Sequence, residues 1–193
     1  KTVVAKGAAG FVAGGRDTEP PANQETVALA RDHGCHVFGP VIEREGARVY
    51  NALVGLSPTG ERILHYRKRH PWYPETWATP GALPWPRVDL LGRKLTAAIC
   101  FDVHFLEEEP EAREALEEAD LLLFSSAWCD REDSLPGKLR GLSERYGLDV
   151  VNANWGPGRP ALRGQGGSMI FRKGGHLLAR TTVGGALRLD VEL

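Results

Sequence analysis

The sequence predicts an α/β fold in which helices are layered on sheet. Three observations carry that prediction. Segments of helical and strand period alternate along the chain. Asp120–Ser125, DLLLFS, is a continuous apolar run, the pattern of a strand buried on both faces. Three strand-like segments between residues 36 and 67 follow one another across short turns, which reads as a β-meander.

The elements follow in order. Lys1–Ala5 reads as a strand stub and Gly10–Asn23 as Gly/Pro-rich loop. Gln24–His33 is a short helix, with Asn23 as N-cap and Gly34 as the stop. His36–Val41 and Arg48–Leu56 are strands, and Ser57-Pro-Thr-Gly60 turns the chain into Ile63–Arg67. Arg69–Arg87 holds five prolines and three tryptophans, so it is an ordered loop. Lys94–Cys100 is a strand, Pro110–Glu118 an acidic helix, Lys138–Tyr146 a helix and Asp149–Ala153 a strand. Gly167–Phe171 and His176–Arg180 flank Gly174-Gly175 as a hairpin, and Leu187–Leu193 is a last strand. No repeat or composition shift divides the chain, so 1–193 reads as a single domain.

Composition narrows the function classes. The net charge of −1 gives no pull toward nucleic acid or an anionic membrane surface. No stretch reaches the ~18 apolar residues that span a bilayer, and the N-terminus lacks the apolar centre of a signal peptide. Cys35, Cys100 and Cys129 cannot all pair, and no Cys/His cluster suggests a metal site. The expectation is free thiols in a cytoplasmic protein with no metal or organic cofactor.

Cys100 closes the apolar run Leu95–Cys100 and is followed at once by Phe101-Asp-Val-His-Phe105. A cysteine at the carboxyl end of a strand sits at the rim of a sheet, where its sulfur can reach a substrate. Upstream, Lys68 and Glu75 lie in a segment stiffened by Pro and Trp. A thiol, an ammonium and a carboxylate are the parts that covalent acyl chemistry needs. A free thiol is mostly protonated near neutral pH, so nearby Lys68 is expected to lower the Cys100 pKa. Taken alone, Cys35 reads as core and Cys129 as structural. Lys68, among Arg67, Arg69 and His70, reads as a solvated strand end. Glu75 by itself reads as a plain surface acid, although its bracketing by Trp72 and Trp77 suggests a partly buried one, and Glu107–Glu109 reads as a solvated helix start.

Several separated segments together change these readings. They are Tyr50-Asn-Ala52 with Ser57–Gly60, Tyr66-Arg-Lys68, His70-Pro-Trp72 with Glu75, Trp77 and Gly81, Ile99-Cys-Phe-Asp102, Ala119–Trp128, Asn152–Asn154, and Gly166–Ser168. In this order they resemble the nitrilase superfamily of carbon–nitrogen hydrolases, over about residues 35–193. The loop after the lysine looks most like that of aliphatic amidases. The resemblance implies an αββα sandwich, with Cys100 as nucleophile and Lys68 stabilising the oxyanion beside the backbone N–H of Phe101. It implies that Glu75 positions substrate or the hydrolytic water. His104 stands where many members carry arginine, and it is a candidate substrate contact with Phe101, Trp128 and Asn154. Trp155 is a further candidate pocket wall. Glu107 matches a family glutamate, although Leu106 replaces the proline before it. The implied substrate is a small amide or nitrile, and the implied assembly a homodimer or higher homo-oligomer.

One departure stands out. The family's general-base glutamate belongs in a segment that here reads Val3–Phe11, and its slot falls at Ala5 or Lys6. Asp17, Glu19 and Glu25 are the nearest acids, beyond the slot. The family's first strand and helix, which precede this segment, are not seen. The chain therefore reads as N-terminally incomplete, with amide hydrolysis through a thioester as the expected activity. The alternatives are a pseudoenzyme acting as a binding or scaffold protein, a nitrilase, or an N-acyltransferase.

Overall fold

The computed structural model describes residues 3–5, 24–73, 75–128, 134–154 and 166–181, with only the backbone described at 3–5 and at Glu25. Asn23, Cys129, Trp155 and the Leu187–Leu193 segment lie outside the described residues, as do Lys6, Asp17 and Glu19.

Two sheets form among the described residues. The first contains β1 (Val3–Ala5), β2 (His36–Glu45), β3 (Arg48–Leu56) and β4 (Arg62–Arg67), in that spatial order. β1 lies parallel to β2, while β2, β3 and β4 form the expected antiparallel meander. The second sheet runs β10-β9-β8-β7-β6-β5, with β5 (Val88–Leu90), β6 (Arg93–Ile99), β7 (Leu121–Ser126), β8 (Asp149–Asn154), β9 (Met169–Arg172) and β10 (His176–Arg180). Its central strands β6, β7 and β8 are parallel. Parallel neighbours need crossovers. α2 (Pro110–Glu118) carries the first and α3 (Ser134–Tyr146) the second.

The layers follow from period-two alternation. Along β2, Val37 belongs to a small cluster with Ala30 of α1 (Gln24–His33), Cys35, Val54 and Leu56, while its neighbour Phe38 belongs to the main core. α1 therefore covers the outer face of the first sheet. The main core joins Phe38, Leu53, Leu64 and Tyr66 to the second sheet through Leu95, Ala97, Ile99 and Leu123. It continues into α2 through Ala112, Ala115 and Leu116, and into α3 through Leu135, Leu139 and Leu142. Those spacings place each set on one helical face. The result is the expected αββα sandwich.

Three elements differ most from the sequence reading. β2 continues through Ile42–Glu45 because Glu43, although charged, is buried against Arg67 and His65. β5 was not expected; three residues after a proline-rich stretch give little pattern, and its hairpin partner Arg93–Leu95 supplies the pairing. α3 begins at Ser134 rather than Lys138, since Pro136 falls in the first turn, where backbone N–H groups have no intrahelical acceptor.

The parallel strands end side by side. In register, Ile99 faces Ser125 and Ser126 faces Asn154. Ligand sites of such sheets lie beyond the carboxyl ends of the strands, and Cys100 is the first residue beyond β6.

Candidate active site

Cys100 opens a short 3₁₀ turn, Cys100–His104, with φ +49°. A non-glycine residue rarely takes a left-handed backbone, and such outliers gather at functional sites. The turn departs from the sheet and holds the thiol at its rim. Burial pushes the Cys100 thiol above its ordinary pKa. The Lys68 charge and a hydrogen bond from the Ala127 backbone N–H oppose that, while the negative charges of Glu75 and Asp102 reinforce it. The expectation that Lys68 would lower the thiol pKa is thus corrected: Lys68 pulls it down, but desolvation is larger.

Lys68 follows β4 directly and is only 2% exposed. It is not a solvated strand end. Its backbone stays paired, the N–H donating to the Asn51 carbonyl at 2.8 Å and the carbonyl accepting from Gly81 at 2.8 Å. Gly81 is required there, because a Cβ would sit 2.1 Å from the Arg67 carbonyl oxygen. The Lys68 ammonium forms a short ion pair with Glu75 Oε2. Glu75 Oε1 accepts from Asn51 Nδ2 at 2.7 Å, and Oε2 accepts from the Trp72 N–H at 2.8 Å. Trp72 and Trp77 are themselves exposed. Glu75 is shielded by its bonds to Lys68 and Asn51, which the bracketing tryptophans did not reveal.

Phe101, His104 and Trp128 form an aromatic wall beside the thiol. His104 stacks on Trp128 at 5.8 Å and tilts against Phe101 at 4.8 Å. Trp128 Nε1 donates to Ser134 Oγ at 3.1 Å. Asn154 is buried, and its amide serves the protein. Its Oδ1 accepts from Ser126 Oγ at 3.0 Å and from the Trp128 N–H at 2.9 Å, gripping both neighbours of Ala127. Its Nδ2 donates to the Gly166 carbonyl at 2.7 Å. Asn154 thus fixes the segment whose Ala127 N–H meets the sulfur.

In the Glu107–Glu109 run Glu108 is exposed, as expected of a solvated helix start, while Glu107 and Glu109 are engaged. Glu107 pairs with Arg145 and accepts from Tyr146 Oη at 3.3 Å. Glu109 meets His70 Nε2 at 2.7 Å and accepts from Trp85 Nε1 at 3.0 Å. Burial alone would raise the Glu109 carboxyl; Trp85, Arg69 and His70 hold it below the usual range.

Asp102 was missed by the sequence reading except as a motif letter. It is fully buried, and its carboxylate accepts from Tyr66 Oη, the His70 N–H and the Ile99 N–H. Burial pushes its pKa up to about 6 against the effect of those donors. Tyr66 is pushed far above its usual range by burial and then by the Asp102 charge. An aspartate right after a strand-end Cys-Phe was the available signal; that it reaches across to the other sheet was not.

Among the described residues, no group of three His, Cys, Asp or Glu side chains is arranged to hold a metal ion. No helix there is long and apolar enough to cross a membrane.

Comparison with known proteins supports the family and the fold. Residues 12–142 match the carbon-nitrogen hydrolase family. The hydrolase in the pqqF 5′ region of Pseudomonas protegens is 32% identical over 110 residues, which cover 55% of this chain and 38% of that protein. A formamidase of Bacillus cereus is 44% identical over 70 residues, 35% of this chain and 21% of that protein. The chain thus spans well under half the length of these relatives. Among solved structures, a mutant of the amidase from Nesterenkonia sp. AN1, a nitrilase-superfamily protein, superposes with a TM-score of 0.76 at 26% identity. That match covers 84% of this chain and 62% of the other. The structure has the acetamide moiety of fluoroacetamide covalently added at the active-site cysteine. Family match, shared fold and a thiol at the carboxyl edge of the parallel sheet converge: the chain belongs to the carbon-nitrogen hydrolase family.

Proposed function

We propose that this chain hydrolyses a small non-peptide amide through a thioester on Cys100. The observation that carries the reading is the meeting of a strand-end thiol with the buried Lys68, which follows the opposite sheet and pairs with Glu75 of the next loop. Amidase and formamidase relatives support the choice of an amide as substrate.

In this reading the Cys100 sulfur attacks the amide carbonyl carbon, and the S–C bond forms as the carbonyl π bond opens to an oxyanion. Lys68 and the Phe101 N–H donate to that oxygen. The proton given up by the sulfur ends on the departing nitrogen. The C–N bond breaks and leaves the thioester. Glu75, anchored by Asn51 and Lys68, positions first the substrate amide and then the water that resolves the thioester. Phe101, His104 and Trp128 are the apolar wall against the acyl group, and they favour a short one.

The experiment is mass analysis after incubation with small amides. It is expected to find an acyl group on the Cys100 peptide, absent in Cys100→Ala. The competing role, a binding or scaffold protein, requires no acyl adduct on any cysteine.

A further inference from the structure

Lys68 and Cys100 stand on different sheets, so their separation depends on what ties the sheets together at this end. The tie is Asp102. Its Oδ2 accepts from Tyr66 Oη at 2.9 Å and from the Ile99 N–H at 3.1 Å, and its Oδ1 accepts from the His70 N–H at 2.9 Å. Tyr66 and His70 are two residues before and two after Lys68. Ile99 immediately precedes Cys100 with its positive φ. One side chain, 0% exposed, thus holds both flanks of the lysine and the base of the strained turn.

We propose that Asp102 is a positioning residue whose carboxylate, by accepting from Tyr66, His70 and Ile99, sets the Lys68 ammonium against the Cys100 sulfur. The assignment rests on the reading of Cys100 as nucleophile. It demands the ionised form. Three donors converge on two acceptor oxygens, each oxygen holding a backbone N–H that cannot turn, so an amide nitrogen on either sets a donor against a donor, and a proton on either weakens it as an acceptor.

The groups that face Asp102 are the Tyr66 phenol, the Lys68 ammonium and the Cys100 thiol. Arg69 acts on Tyr66, and the His70 ring turns away to Glu109 and Phe105. With its pKa raised to about 6, chiefly by burial, Asp102 keeps the clamp above that pH and releases it below. Tyr66→Phe removes one donor that opposes the effect of burial, so the clamp is then released at a higher pH.

The test uses fluoroacetamide, which needs an assembled site, and iodoacetamide, which needs only an accessible thiol. With fluoroacetamide, the S–C bond forms as the C–F bond breaks, and fluoride leaves. Adduct formation at Cys100 is followed by peptide mass from pH 4.5 to 9 in wild type, Asp102→Asn and Tyr66→Phe. Asp102→Asn is expected to slow the fluoroacetamide reaction about a hundredfold, the usual consequence of small misplacement, while iodoacetamide still labels Cys100. Tyr66→Phe is expected to shift the acid limb upward in pH. The Tyr66 hydroxyl bonds Asp102, whereas Glu75 bonds Asn51 and Lys68, so Tyr66→Phe reads the Asp102 clamp. An unmoved limb in Tyr66→Phe overturns the proposal even if Asp102→Asn fails to fold. Equal fluoroacetamide rates in wild type and Asp102→Asn overturn it as well. If wild-type Cys100 reacts with fluoroacetamide no faster than Cys35, the nucleophile reading fails, and this assignment fails with it.

Discussion

Lys68 shows how a single side chain acquires a role from its surroundings. A lysine almost never lies fully buried unless paired, and this one is paired with Glu75. If it donates to the oxyanion, Lys68→Ala lowers kcat on the best amide by about 10²–10³-fold, roughly 2.7–4 kcal/mol. Circular dichroism should remain that of the folded chain, because Glu75 keeps its bonds to Asn51 and the Trp72 N–H. Lys68→Arg is expected to fail too, since a planar guanidinium does not fit a site shaped for a point ammonium. Near-wild-type turnover in either variant contradicts the role. Cys100, Lys68 and Glu75 could be picked as candidates in the sequence because each sits in a short motif. The state of the thiol was not. It depends on how burial weighs against Lys68 and the Ala127 N–H, groups 32 and 27 residues away along the chain.

At the scale of elements, the segment 69–87 is a loop by composition and a fixed part of the site by its bonds. Thr79 donates to the Val49 carbonyl at 2.7 Å and Gly81 to that of Lys68 at 2.8 Å, so the loop is stitched to β3 and to the end of β4. Gly81→Ala must lift this stitch off the Arg67 carbonyl. It is expected to destabilise the fold by about 1–3 kcal/mol, as overpacking does, and to reduce turnover with it. Urea unfolding and amide turnover check this, and an unchanged midpoint contradicts it. Elements with clean periodicity, such as α1, β3 and α2, were legible to the residue. The end of β2 was hidden because its last residues are charged. Burial alone would raise the Glu43 carboxyl, yet Arg67 and His65 hold it below the usual range, so it stays an anion inside the sheet layer. Sequence pattern prices a charge as exposed; the paired partners lie 22 and 24 residues further on.

For the whole molecule, two sheets each supply part of the candidate site. The first brings Lys68 and Asn51, the second brings Cys100, Trp128 and Asn154, and Asp102 links them. The layer order was legible only through the family resemblance, because periodicity places side chains on faces but not sheets on sheets. We propose that the chain self-associates as a homodimer or higher oligomer, the commonest symmetric arrangement. Light scattering at micromolar concentration is expected to give a mass of at least two chains, and a monomer with full amide turnover contradicts it. The central claim, acyl transfer from an amide to Cys100, is tested most directly by acid-quenching the protein with a small amide and mapping its peptides by mass. The account predicts an acyl group on the Cys100 peptide in wild type and none in Cys100→Ala. Amide hydrolysis that persists in Cys100→Ala, or an acyl group on Cys35 or Cys129 instead, would contradict it.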